Sequence, residues 1–266
     1  MKKLIIKSLA VILFVSCVQK VPITGRKQVS LVSESEMMSM SFTEYEKFKQ
    51  ANKILPANDQ RTIMVQQVGL KIQTAVESFM KSKGLEKRLE GYKWEFNVAD
   101  DPTVNAWCMP GGKVIVYTGL LPVTQDEQSL AVVMGHEIAH AVARHGNERM
   151  SQALAVQLGG IALSVAVQNK SAEVQNLFNQ SYGIGSQLGM LKYSRTHETE
   201  ADKMGLVFAA MAGYDPNSAI AFWERMAAQS NGQKPPELLS THPSDETRIN
   251  DLKAFMPEAM KYYKKQ

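Results

Sequence analysis

The sequence predicts an α+β fold that is mainly helical and carries one small antiparallel β-sheet. Apolar residues recur every three or four positions before residue 82 and again beyond residue 124, which is the period of an amphipathic helix. Between these regions, residues 92–118 alternate apolar and polar side chains around two turn signals, as antiparallel strands do. The 266 residues, 44 % hydrophobic and 21 % charged, supply enough apolar material for one sizeable core.

The N-terminus, MKKLIIKSLAVILFVSC, has the layout of a secretory signal. Its lysines are followed by an apolar run that is too short to remain as a bilayer-spanning helix. We therefore predict a signal peptide over residues 1–16. The junction is similar to a bacterial lipobox, although Phe14 stands where Leu is usual, and this similarity predicts a lipid on Cys17. An uncleaved signal anchor and a plain cleavage site are the alternatives.

Removal of the predicted signal takes away three lysines and no acidic residue, so the formal net charge falls from +4 to about +1. Charge therefore gives no reason to expect a nucleic-acid partner. With Cys17 lipidated, Cys108 has no cysteine left for an internal disulfide and is expected to be a buried apolar residue. Residues 17–33, polar with Pro and Gly, are expected to form a lipidated N-terminal tether, and residues 34–266 to form one catalytic domain.

Two amphipathic helices are predicted over residues 35–53 and 58–82. Three strands follow at 92–98, 103–109 and 113–118, separated by Asp-Asp-Pro and Pro-Gly-Gly turns. Everything beyond Thr124 is expected to be helical, with breaks at 159–160, 183, 213–216 and 235–236. The apolar stretch 153–167 is shorter than a membrane span, so a core or lid helix is favoured over a membrane-dipping one.

A helix over residues 125–144 carries the first candidate site. Its start is predicted from a capping box of Thr124 and Glu127. His136 and His140 are four residues apart, which places the two imidazoles about 40° apart in azimuth and about 6 Å apart along the axis. Both can reach one ion, and two imidazoles supply half of a tetrahedral zinc site. Glu137, one step round the helix, can face a water on that ion and act as a general base.

Two histidines require a further ligand, and the segment YSRTHETEADKMG offers one. Glu198 and Asp202 are at positions i and i+4, on one face of a helix. Glu198 is the candidate ligand, and Asp202 is a candidate acceptor for the free N–H of a zinc-bound histidine. Glu200 points elsewhere on the helix and is less favoured. His145 and His197 lie off the metal face and are expected to be solvated.

Four separate motifs, in chain order NAWCMPGGKVIVYTGLL, HEIAH, SRTHETEAD and THPSDETRI, together resemble the gluzincin metallopeptidases of peptidase family M48. The segment VPITGRKQVSLVSESE is similar to the leader of the BepA/LoiP/Oma-like envelope lipoprotein branch of that family. The resemblance covers about residues 22–252 and implies a zincin/gluzincin domain with one Zn²⁺ per chain. The transmembrane helices of the family's other branches, and a long C-terminal repeat array, are not expected in this chain.

The resemblance implies a role for each matching residue. His136, His140 and Glu198 match the zinc ligands, and Glu137 matches the catalytic base. Asn105 and Ala106 match an edge strand that binds extended substrate, and the turn after it is matched by Pro110, Gly111 and Gly112. His242 matches a histidine that in some members occupies the open zinc position, and Arg248 matches an arginine close to the site. His242, Arg248 and Tyr193 are candidate donors to the oxyanion. Without the resemblance, His242 could cap a helix near residue 244, Asn105 could end a turn, and Arg248 could pair with Asp245 or Glu224.

These observations predict a zinc metalloendopeptidase that a lipid tethers in the bacterial cell envelope, facing the periplasm from the outer membrane. Its expected partners are unfolded or extended polypeptides, the membrane, and the outer-membrane assembly machinery; the substrate part follows from the resemblance alone. One alternative is a non-proteolytic chaperone or assembly factor that uses the same groove. Another is an envelope lipoprotein whose zinc only stabilises the fold, although Glu137 beside an open coordination position argues against it.

Overall fold

A computed structural model of the chain describes residues 18–157, 171–182, 194–228, 238–239, 242 and 246–264. The predicted signal peptide, the lipidation site Cys17, and Tyr193 and Asp245 lie outside these residues. The strands are β1 (Val18–Lys20), β2 (Lys27–Val29), β3 (Glu95–Ala99), β4 (Ala106–Met109) and β5 (Lys113–Tyr117). The helices are α1 (Glu34–Ala51), α2 (Gln60–Ser82), α3 (Leu121–Thr124), α4 (Glu127–Ala143), α5 (His145–Gln157), α6 (Ser171–Tyr182), α7 (Arg195–Met211), α8 (Ser218–Ala228) and α9 (Glu246–Ala259).

The predicted fold class, mainly helical α+β, is confirmed, but the central sheet is mixed rather than wholly antiparallel. Its strand order is β3-β5-β4, with β4 antiparallel and β3 parallel to β5. The Asp-Asp-Pro segment does not form a hairpin turn. Asp101 instead bonds with Thr118 and Gly119 beyond the end of β5, so the chain crosses β5 and places β4 at the opposite edge. Within this sheet, the Pro-Gly-Gly turn joins the antiparallel neighbours β4 and β5.

The segment expected to be a tether is part of the domain from Val18 onward. Strands β1 and β2 pair in antiparallel fashion, and Val21, Gln28 and Val32 are buried. The amide of Gln28 donates to the carbonyl of Ala143 at the end of α4. The prediction of a tether over residues 17–33 is therefore wrong for this part, because its apolar residues and polar side chains are used in packing against α4 and its neighbours.

Helix α4 lies at the centre of the fold, and from Ser129 to Ala143 every residue is buried. The predicted capping box is wrong: Thr124 ends the short α3, and Gln125 adopts a positive φ of 67°. Asp126 caps α4 instead, since its carboxylate accepts the N–H of Ser129 at 2.7 Å. The carboxylate of Asp126 therefore caps the helix in place of the predicted hydroxyl of Thr124.

Helices α4 and α7 approach each other closely at two glycines. A Cβ added at Gly205 would lie 2.8 Å from the backbone nitrogen of His136, and one added at Gly135 would lie 2.9 Å from the carbonyl oxygen of Gly205. Their lack of a side chain lets the two backbones touch. This contact brings the histidines of α4 beside the carboxylates of α7.

Two smaller predictions concern burial. Cys108 is a buried free thiol on β4, as predicted. The apolar stretch 153–167 begins within α5, and its part beyond residue 157 lies outside the described residues. None of the helices in the described parts of the chain has both the length and the apolar character needed to cross a bilayer.

Candidate metal centre

Four side chains from three separate segments converge at one buried point. His136 and His140 come from α4, Glu198 from the first turn of α7, and His242 from the segment before α9. One ligand atom from each lies within 4.8 Å of the other three, and all four residues are buried. The structure therefore brings together the three predicted metal ligands, and it adds His242 to the same group.

The chemistry of this donor set fits a divalent metal ion. Nε2 of His136 lies 3.0 Å from Nε2 of His140, 3.2 Å from Nδ1 of His242 and 3.4 Å from a carboxylate oxygen of Glu198. Atoms held about 2.0–2.1 Å from one tetrahedral ion lie about 3.3 Å apart. Lone pairs that face each other at such distances repel one another unless protons or a cation lie between them, so the group suits a cation. His136, His140, Glu198 and His242 could hold it.

Asp202 and Arg248 fix the ring of His136 from behind. Nδ1 of His136 lies 2.8 Å from Asp202 Oδ1, so its Nδ1–H donates to the carboxylate and Nε2 faces the ligand group. Arg248 donates to both Asp202 oxygens at 2.6 and 2.8 Å. Its guanidinium lies 3.4 Å above the ring of Trp223. Arg248 therefore pairs with Asp202 rather than with the exposed Glu224, and both residues lie at the site, as predicted.

Charge pairing sets the protonation of these groups. Burial alone would lower the pKa of His136, but hydrogen bonds with Asp202 and Glu198 raise it to about 9. Burial would raise the pKa of Glu198, yet the charge of His242 and a hydrogen bond with His136 lower it well below its usual value. The pKa of His140 falls well below its usual value, chiefly through burial. A metal ion that binds here would displace the proton of His136.

Glu137 lies beside the ligand group without belonging to it. It is buried, and its Oε1 has no hydrogen-bond partner among the described residues; Nε2 of His242 lies 3.6 Å away. Burial raises the pKa of this carboxyl group. A buried carboxylate oxygen without a hydrogen bond is costly, so this oxygen is suited to accept a hydrogen bond from a water or a substrate group.

The prediction that His145 and His197 are solvated is wrong, because both are buried. Helix α4 ends at Arg144, which has a left-handed φ of 65°, so the helical azimuth does not extend to His145. Nδ1 of His145 lies 3.0 Å from Nδ1 of His140, and its Nε2 lies 3.1 Å from Glu200. His197 instead bonds Glu148 at 3.0 Å and stacks on His145.

Arg26 on the N-terminal hairpin joins the carboxylates of this neighbouring cluster. It donates to both oxygens of Glu148 at 2.7 Å and to Glu200 at 2.9–3.1 Å. Burial would raise the pKa of Glu200, but hydrogen bonds from His145 and Arg26 lower it to about 2. Sequence reasoning missed Arg26, Glu148 and Trp223. Arg26 and Glu148 lie far apart in the chain and share no motif, and Trp223 resembles any apolar residue of an amphipathic helix.

The predicted substrate strand lies at a sheet edge beside the ligand group. β4 pairs with β5 on one side only, and it packs against α4. Asn105 directly precedes β4, and its side-chain oxygen accepts the N–H of Ala106 at 2.9 Å. The carbonyl of Val104 accepts the N–H of Leu238, and the carbonyl of Leu238 accepts the N–H of His242. The segment that carries His242 is therefore bonded to the chain just before this edge strand.

The part of the chain that forms this site matches a known protein family. The model of "Peptidase family M48" matches residues 66–256, which include all four residues of the ligand group together with Glu137, Asp202 and Arg248. The match covers well over half of the chain. It spans the sheet and helices α4, α7 and α8, the elements that position the site.

Curated relatives point to the same family. "Mitochondrial metalloendopeptidase OMA1" of Schizosaccharomyces pombe is 37% identical over 243 residues, covering 90% of this chain and 66% of that protein. The human "Metalloendopeptidase OMA1, mitochondrial" is 33% identical over 274 residues, covering 95% and 48%. The "Putative beta-barrel assembly-enhancing protease" of Vibrio cholerae is 35% identical over 164 residues, covering 59% and 33%. The chain spans less than two thirds of each. It belongs to peptidase family M48, a family of metal-dependent peptidases.

Proposed function

We propose that this chain is a zinc metalloendopeptidase that cleaves unfolded or misassembled polypeptides. The observation that carries the proposal is the buried convergence of His136, His140, Glu198 and His242 beside Glu137, whose Oε1 accepts no hydrogen bond from the described residues. Zinc is the ion we assign, because two imidazoles and a carboxylate form the ligand set of catalytic zinc sites that keep a further position open. When bound, such an ion acts as a Lewis acid and lowers the pKa of water to about 7.

In this proposal, Glu137 is the general base. Its buried carboxylate has a raised pKa, which brings a carboxylate closer to the range in which it can both accept and return a proton at neutral pH. It accepts the proton of the attacking water and delivers it to the leaving amine. Asp202 and Arg248 hold His136 in the tautomer that presents Nε2 to the ligand group, so we assign them a positioning role.

The edge strand β4 supports a preference for extended substrates. Free backbone groups at a sheet edge bind a peptide by adding it as another strand, and such binding requires a segment that is not already folded. Asn105 and Ala106 lie at the start of this edge. We propose that substrate lies along them.

We also propose that the chain works in the bacterial cell envelope, anchored through a lipid on Cys17. The lipobox-like N-terminus supports the anchor, and the relative from Vibrio cholerae carries a name that refers to β-barrel assembly. The outer-membrane assembly machinery is accordingly the proposed setting. Replacing Cys17 with Ser tests the anchor: we expect loss of radiolabelled palmitate incorporation and release of the chain from the membrane fraction. Unchanged incorporation would exclude lipidation at this residue.

The activity is tested with the purified mature chain and Glu137→Gln. We expect the wild type to contain about one zinc per chain and to cleave casein, an unfolded substrate, but not a tightly folded protein. Glu137→Gln should keep its zinc and lose turnover by several orders of magnitude, because the proton acceptor is removed while the ligands remain. A wild type without bound zinc contradicts the proposal. Aggregation-suppressing activity that survives in Glu137→Gln, without any cleavage by the wild type, would indicate a chaperone instead.

A further inference from the structure

The buried cluster beside the ligand group has a directional hydrogen-bond chain. The carboxylate of Glu200 accepts hydrogen bonds from the guanidinium of Arg26 and from the hydroxyl of Thr24, and a carboxylate paired with an arginine in this way is ionised. A carboxylate in this state only accepts hydrogen bonds. The nitrogen of His145 that faces it, Nε2, must therefore carry the hydrogen. In a neutral imidazole, the other nitrogen, Nδ1, is then an acceptor.

The position of the hydrogen on His145 also determines which ring nitrogen of the metal-ligand candidate His140 carries a hydrogen. Nδ1 of His145 lies 3.0 Å from Nδ1 of His140, and one of these two nitrogens must donate. Because Nδ1 of His145 is the acceptor, the hydrogen is on Nδ1 of His140. Nε2 of His140 is then left with its lone pair, and this is the atom that belongs to the ligand group. The opposite tautomer would direct an N–H into the group and exclude a cation.

We propose that His145 is a positioning residue for His140: held by Glu200, it fixes the His140 tautomer whose Nε2 can bind the metal. This inference deepens the proposed metal site and rests on it for its consequence for metal affinity. It also gives the N-terminal hairpin a role, since Arg26 orients Glu200. The arrangement parallels Arg248, Asp202 and His136 on the other side of the site, but a neutral imidazole takes the place of the carboxylate.

His197 provides a matched control. Like His145, it is a buried histidine that bonds a carboxylate of the Arg26 cluster. The two rings stack with their centroids 4.6 Å apart. The side chain of His197 bonds Glu148 and the backbone of Ser194, whereas His145 contacts His140 directly. His145→Phe and His197→Phe therefore make the same change in size and polarity, at neighbouring buried positions.

The first measurement is zinc affinity, by competition with a chelator. We expect His145→Phe to bind zinc about 10–100-fold more weakly than the wild type, the usual effect of removing an outer partner of a metal ligand. His197→Phe should stay within about twofold. His145→Asn should recover much of the loss, because its side-chain oxygen can accept from Nδ1 of His140. Equal affinities in His145→Phe and His197→Phe would reject the positioning role.

The second measurement reads the tautomer directly in the metal-free chain. The ¹⁵N NMR signals of the His140 ring should report a hydrogen on Nδ1 in the wild type and in His197→Phe, and a mixture of tautomers in His145→Phe. A wild type that has its hydrogen on Nε2 would overturn the proposal. If the wild type binds no zinc, the proposed function fails while this readout still decides the role of His145. If zinc binds, and the wild type, His197→Phe and His145→Phe all have the same His140 tautomer, only the positioning role fails.

Discussion

His242 stands between the ligand group and the general base. Its Nδ1 lies 3.0 Å from a carboxylate oxygen of Glu198 and 3.2 Å from Nε2 of His136. Its Nε2 lies 3.6 Å from Oε1 of Glu137. We infer that the imidazole, in this position, hinders the approach of a water to Glu137. In this inference, His242 both supplies a donor atom to the ligand group and restricts access to Glu137.

We expect His242→Ala to weaken zinc binding and to raise turnover per zinc-loaded chain. Affinity falls because one donor atom is lost, and turnover rises because water gains access to Glu137. Casein cleavage at saturating zinc, alongside chelator competition, measures both effects, and His197→Ala is the control for loss of a buried imidazole outside the ligand group. A zinc-loaded His242→Ala chain with much lower turnover would instead assign His242 to stabilisation of the transition state.

At the scale of elements, the site depends on how closely α4 and α7 approach. His136 and His140 project from one helix, Glu198 and Asp202 from the other, and the backbones touch at Gly135 and Gly205. Core packing at protein density leaves no room for an added methyl group at such a contact. The spacing between the helices is thus coupled to the distance between the metal ligands.

We expect Gly205→Ala to destabilise the fold by about 1–3 kcal/mol and to weaken zinc binding as well. Its Cβ would lie 2.8 Å from the backbone nitrogen of His136, so the helices must separate. The control is Gly69→Ala on α2, whose Cβ would lie 2.4 Å from the ring of Phe96. It should cost comparable stability in urea unfolding and leave zinc affinity unchanged. Equal zinc affinity in both variants would show that the spacing of α4 and α7 does not control the site.

The sequence predicts those parts of the site that follow from helical geometry. His136 with His140, and Glu198 with Asp202, were paired correctly because four residues make about one turn. The parallel pairing of β3 was not predictable in this way, since it depends on a crossover fixed by Asp101. The burial of His145 was also missed. It follows from the left-handed Arg144, a backbone conformation that is rare outside glycine and that periodicity does not reveal.

On the scale of the whole molecule, one ionic cluster joins three distant segments. Arg26 follows β1, Glu148 lies on α5 and Glu200 on α7, and the three side chains meet with most of their surface buried. Breaking such a pair by removing one partner leaves a poorly solvated charge, which is strongly destabilising. The cluster therefore ties the N-terminal hairpin to the helices that carry the metal-ligand candidates.

The acid stability of the metal-free chain should reflect this cluster. Burial would raise the pKa of Glu148, but hydrogen bonds from Arg26 and His197 lower it from 4.5 to about 2. As the pH falls, the unfolded chain takes up this proton first, so the contribution of Glu148 to stability is complete above about pH 5 and is lost toward pH 2. In urea unfolding, the stability advantage of the wild type over Glu148→Gln should therefore shrink as the pH falls through this window. Glu90→Gln, at an exposed carboxylate, should follow the wild type throughout. An advantage over Glu148→Gln that stays constant from pH 7 to pH 3 would mean that Arg26 and His197 do not stabilise the ionised form of Glu148.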